Sequence, residues 1–218
     1  AIGNNAGIVN QGSFAVAIGQ YCGQFTQNSY GVAIGLYAAE YNQGLNAVSV
    51  GYYSGQSFQS QNSVALGYQA GQVYQGIGAT VGTSTIAIGS TAGQITQGLN
   101  SIAIGNSAGN NSQQINAVSI GNFSGQTYQG TGAISVGTSS ARNNQGNYAV
   151  AVGINAGQRT QGDSSIAIGN FYGYVGLTGQ HNNTIVLNAS GGAIYSGTTG
   201  AFYVNPVRNF TTTFNATQ

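Results

Sequence analysis

A glycine recurs at positions 3, 19, 35, 51, 67, 89, 105, 121, 137, 153 and 169, and nine of the ten intervals are 16 residues. A fixed short period constrains the fold more than any single motif, because units that bury little alone must bury their apolar atoms against one another. The exception is the 22-residue interval from Gly67 to Gly89. It keeps "GYQAGQVYQG" at its start and "STIAIG" at its end, and so reads as one coil with an insertion near Ala79 to Ser84.

Each unit approximates G-x-x-(A/S)-G-(Q)-x-x-Q-G-x-(N)-(A/S)-(V/I)-(A/S)-(I/V). Its last part alternates β-branched and small residues, as in Val16, Ala17, Ile18 or Ile102, Ala103, Ile104. Such alternation is the period-2 signature of a strand with one buried face. Together with the glycine density it excludes helix. One strand and glycine-rich corners in 16 residues describe one turn of a parallel β-solenoid. Successive coils about 4.8 Å apart then give a rod on the order of 50 Å long. The loop is narrow, with room for a row of Val or Ile, Ala or Ser, and glutamines. The small alternate residues, such as Ala15 and Ala17, Ser101 and Ala103, or Ala117 and Ser119, are expected to face outward as a smooth stripe that another copy could approach closely.

Composition narrows the function. Only 2% of the 218 residues are charged: Glu40, Asp163, Arg142, Arg159 and Arg208. There is no basic patch for a phosphate backbone, so nucleic acid is not an expected partner. A single proline, Pro206, rules out a collagen despite 37 glycines. No apolar run approaches the roughly 18 residues of a membrane-spanning helix, so membrane insertion is not expected. Methionine is absent and Ala1 enters inside a repeat, so the chain is expected to be a processed or partial product. Cys22 alone makes no disulfide framework, and it occupies the place held elsewhere by Ala6, Ala38, Ser54 or Ala70. It is expected to be a small buried residue.

Three residue classes stand out. A glutamine recurs at Gln11, Gln27, Gln43, Gln59, Gln75, Gln97, Gln113, Gln129, Gln145 and Gln161. Stacked amides one coil apart can form a hydrogen-bonded ladder; the competing reading is a row facing a ligand. Aromatics recur near the turns, among them Tyr21, Tyr37, Tyr53, Tyr41, Tyr74 and Tyr128. Tyrosine suits recognition of carbohydrate or protein, and the alternative is coil-on-coil stacking or contact with another subunit. Sequons at Asn110, Asn122, Asn182, Asn188, Asn209 and Asn215 make N-glycosylation a further expectation, although chance alone produces several in such a chain.

The motifs "SIAIGNSAG", "FAVAIGQYCG" and "SIAIGNFYG" resemble the head repeats of YadA-like trimeric adhesins, over roughly residues 1–172. The resemblance implies an all-β, left-handed parallel β-roll, a homotrimer and a role in surface attachment. The bacterial head repeat is usually shorter than this one. Past Gly169 the repeat decays, and "NNTIVLNASGGAIYSGTTGAFYVNPVRNF" lacks the basic neck of an adhesin head. That segment resembles the region that, in fibre proteins of large DNA viruses and some phages, precedes a self-cleaving chaperone domain of the endosialidase type. Two domains follow: a β-roll over 1–172, with its long coil at 67–88, and a C-terminal cap or connector over 173–218 carrying further strands at Thr184 to Leu187 and Ala201 to Val204. Identical coils can slip by one period, and something outside the repeats must set register and cap the rod.

Catalysis is not expected. Glu40 and Asp163 lie many coils apart, and His181 has neither a cysteine partner nor an acid nearby in sequence, so neither a carboxylate pair nor a metal site is predicted, and no cofactor. The leading expectation is a structural or adhesive fibre segment, extracellular, at a cell or virion surface, whose partners are its own copies and a host-surface glycan or protein. The alternatives are a self-assembling filament subunit, favoured by low charge, and a ligand-binding solenoid such as an ice-binding protein. The latter needs a regular row of threonines, whereas Thr26, Thr96, Thr127 and Thr160 share no single column.

Overall fold

The computed structural model describes residues 1–76, 84–170, 179–190, 192, 194 and 196–207. Most of the insertion near Ala79 to Ser84 lies outside them, as do Asn209, Asn215 and the boundary at 172. The described residues form a parallel β-solenoid with no helix. A first sheet of 12 parallel strands runs from Val16–Ile18 to Phe202–Asn205, and a second of 7 runs from Tyr41–Gln43 to Asn143–Gln145. Single bridges extend the second sheet through Gln11, Gln27 and Gln43 at one end and Gln145, Gln161 and Gln180 at the other.

Pairing follows the repeat residue for residue, with Ile102 beside Ile86 and Val118, and Ala103 beside Ala87 and Ser119. The long coil keeps this register, since Val64 pairs with Ile86. Beyond the repeat, Ile166 pairs with Ile185 and Ile185 with Phe202. The C-terminal strands therefore continue the first sheet in parallel.

The corners have a common cause. At the marker glycine, φ lies between 115° (Gly169) and 135° (Gly3), and a Cβ built on Gly105 would sit 2.6 Å from the carbonyl oxygen of Gly121. Only a residue without Cβ permits that approach of successive coils. Two residues on, the chain turns through the left-handed region at Tyr21, Tyr37, Tyr53 and Phe123, with φ of 54° to 56°. Corner amides also bond between coils, as in Ser107 N–H to Ser90 O at 2.8 Å and Gly109 N–H to Ser124 O at 2.9 Å.

The faces of the first sheet are the reverse of the expectation. Ala17, Ala33, Ser49, Ala65, Ala87, Ala103 and Ser119 are fully buried, whereas Val16 and Ile18 are 40% and 39% exposed. Ser101 and Ala117 are buried as well. The reason is volume: the glutamine side chains are buried in the narrow space between the two sheets, which leaves room for Ala or Ser at the strand centres of the repeat, and only past the repeat does a larger centre, Val186, lie fully buried. The core is thus built of methyl clusters around Ala17, Cys22 and Ala33, around Ala87 and Ala103, and around Ala151 and Ala167. Serine stretches separate them, with Ser124 Oγ 2.7 Å from Ser135 Oγ. So little apolar area per coil leaves continuous backbone pairing and tight packing as the main source of order.

Candidate functional site

The glutamine column lies inside the rod. From Gln27 to Gln161 each Nε2 donates to the carbonyl 11 residues earlier, at 2.7–2.9 Å, spanning the coil from one sheet to the other. Its second N–H mostly reaches the carbonyl four residues on, as in Gln113 to Ala117 at 3.2 Å. Amide-to-amide bonds join Gln11 to Gln27, Gln43 to Gln59, Gln113 to Gln129 and Gln145 to Gln161, at 3.0–3.3 Å. An amide has two hydrogens, so backbone carbonyls outcompete the neighbouring glutamine. The Oε1 atoms of Gln43, Gln75, Gln97, Gln113 and Gln145 are buried without a partner among the described residues. At two serine strand centres the oxygen is satisfied, Ser49 Oγ donating to Gln59 Oε1 at 2.7 Å and Ser119 Oγ to Gln129 Oε1 at 2.6 Å, whereas Ser135 turns to Ser119 and Ser124 and leaves Gln145 Oε1 without a partner. The column is a set of cross-braces, buried from Gln27 to Gln161.

A second amide column, five residues after the marker glycine, lies half-buried at a corner. Asn110 donates to Gln94, Gln94 to Gln72, Gln72 to Gln56 and Gln56 to the Glu40 carboxylate, at 2.8–3.0 Å, so every donor points towards the one glutamate. Further along, Arg142 Nε donates to Gln126 Oε1 at 2.9 Å and its guanidinium lies 5.1 Å from the centre of the Phe123 ring. Sequence reasoning missed this ladder, although the consensus carries a glutamine there; its members vary among Gln, Glu, Asn and Arg.

The tyrosines divide into two groups. Tyr21, Tyr37 and Tyr53 form one continuous half-buried stack, with centroids 5.0 and 4.8 Å apart and rings within 4° of parallel. Tyr52 meets Tyr53 edge-on at 4.2 Å and stacks on Tyr68 at 5.6 Å. A hydrogen bond with Tyr52 pushes the Tyr53 phenol up to about 12, and one with Glu40 raises that of Tyr41. Tyr41, Tyr74 and Tyr128 lie on the outer face of the second sheet, where Phe25 stacks on Tyr41 at 4.9 Å and Phe58 on Tyr74 at 5.3 Å. Several aromatics combine left-handed backbone with high exposure, such as Phe14 (φ 60°, 80% exposed) and Tyr148 (φ 56°, 67% exposed). Each carries a backbone penalty of about 1–2 kcal/mol that glycine would avoid.

The sequons are placed unevenly. Asn122 and Asn182 are exposed, Asn110 is tied into the outer ladder, and Asn188 is buried with its amide donating to Asn170 O at 3.1 Å. A glycan on Asn188 is incompatible with that packing. The His181 ring nitrogen Nδ1 lies 2.9 Å from Ser196 Oγ. No three His, Cys, Asp or Glu side chains gather among the described residues, and no helix there is long and apolar enough to cross a membrane. Burial pushes the Cys22 thiol up to about 11, partly offset by hydrogen bonds with the backbone at Ile18 and Gly35.

The outer face of the first sheet is apolar. Val16, Ile18, Leu66, Ile120, Ile134, Ile168 and Ile185 all stand at least 37% exposed on the first sheet, two side chains wide along its length. At about 4.8 Å per strand the strip is roughly 50 Å long, a size that marks association surfaces. Taken together, these features define a parallel β-solenoid repeat protein with a small-residue interior and an apolar outer strip. Comparisons with protein-family models, curated proteins and solved structures returned no match.

Proposed function

We propose that the chain is a structural segment of a fibre at a cell or virion surface, assembled as a trimer through the Val and Ile strip and contributing to attachment through its uncharged, aromatic outer face. The observation that carries this reading is the strip itself: on a rod with 2% charged residues, a sheet face of β-branched side chains stands in water unless another copy covers it. Identical parallel rods bring identical faces together, and low net charge offers little repulsion. The outer face of the second sheet supplies Tyr41, Tyr74 and Tyr128 among Ser57, Asn111 and Thr127, a composition like that of antibody paratopes. The reading is tested with the combined variant Ile88→Thr, Ile104→Thr and Ile120→Thr. The expected result is a β-rich chain that sediments as a monomer; an unchanged oligomer would count against the strip as the interface.

An end-to-end filament is the second reading, favoured by the edge strand Phe202–Asn205, whose Phe202 is 64% exposed. Micrographs showing particles of one length would exclude it.

A further inference from the structure

The coils have few means of covalent reinforcement. The chain has one cysteine, and its three basic residues are all arginines, so neither an intrachain disulfide nor a lysine isopeptide bond can tie one coil to the next. It does have 14 tyrosines. Tyr21, Tyr37 and Tyr53 stand in one column at 5.0 and 4.8 Å, with rings 3° and 4° from parallel. They occupy left-handed corners with φ of 54° to 56°, where glycine would be unstrained, and the same place is held by Gln69, Ser107 or Asn155 elsewhere.

We propose that Tyr37 and its column neighbours Tyr21 and Tyr53 form a site of oxidative dityrosine cross-linking that joins adjacent coils of one chain. Each phenol loses one electron and its hydroxyl proton to give a phenoxyl radical. Two radicals then join through a bond between ring carbons ortho to oxygen, and the ring hydrogens at those carbons shift to the oxygens as both rings regain aromaticity. The two electrons and two protons reduce one hydrogen peroxide to two waters, with a haem peroxidase as the external catalyst. Parallel rings one coil apart need only tilt about their side-chain torsions to bring ortho carbons together. The proposal does not depend on self-association, since both partners belong to one chain.

The sequence offers a direct test, because Glu40 is the only glutamate and lies between Tyr37 and Tyr53. Dilute folded protein is treated with peroxide and peroxidase, then unfolded, reduced and cut with a glutamyl endopeptidase specific for glutamate. The expected result is that residues 1–40 remain joined to the rest in a species with the mass of one 22.0 kDa chain, with dityrosine fluorescence. Tyr37→Phe releases the fragment, whereas Tyr148→Phe does not. Phenylalanine is compatible with the fold there, since Phe123 holds the equivalent corner at φ 55°. Absence of dityrosine where free tyrosine couples, full release of a fragment 1–40 that carries no dityrosine of its own, linkage only between chains, or retention unchanged in Tyr37→Phe would each overturn the proposal.

Discussion

The buried glutamine is the residue on which each coil depends. Gln113 sends its amide to Ile102 O, Ala117 O and Gln129 Oε1, so Gln113→Leu removes all three bonds from the interior, although Ala117 O keeps the Ile102 N–H at 2.9 Å. A loss of about 2–4 kcal/mol is expected, seen as a lower midpoint in thermal unfolding. The unpartnered oxygen of the same residue predicts a gain: Ala103→Ser places a hydroxyl where Ser49 and Ser119 bond their glutamines. It should raise stability by about 0.5–1.5 kcal/mol, and an unchanged or lower midpoint would contradict that geometry. Cys22 supplies a pH dependence. Its thiol is raised from 9.0 to about 11 in the fold, so the neutral form is favoured. The resulting stability is fully present below pH about 9 and lost as pH rises through about 11. Native protein should resist thiol reagents at pH 8 and react only when unfolded.

At the level of the strand and corner, the period was legible because glycine recurs wherever two coils approach too closely for a Cβ. Gly105→Ala tests this: with φ of 127° and a neighbouring carbonyl at 2.6 Å, the substitution should cost about 3 kcal/mol or more. Hydrogen exchange should then show opening of the coils on either side of residue 105. The direction of the strand faces was not legible. Val16, Ala17 and Ile18 alternate equally well with either face inward, and period 2 carries no sign. The volume of a coil decides it, and that depends on how two sheets close, which no single strand reveals. The outer amide ladder was obscured for another reason: Glu40, Asn110 and Arg142 break the identity of its column while keeping hydrogen-bonding capacity. Register has its own marker in the long coil, where Gln94 reaches across 22 residues to Gln72. A slip by one coil would set unequal loops against each other.

For the whole molecule, the arrangement is a rod that hides its alanines, serines and column glutamines and shows much of its Val, Ile and aromatic surface. Ring stacking is concentrated between Phe14 and Tyr74, while the apolar strip runs from Val16 to Val204. A net charge of +1 gives such a surface little protection against association. The central claim is that copies of the chain cover the strip, and native mass in solution, by light scattering or native mass spectrometry, tests it most directly. The account predicts three chains of 22.0 kDa each in one discrete species. A monodisperse monomer at micromolar concentration would contradict it.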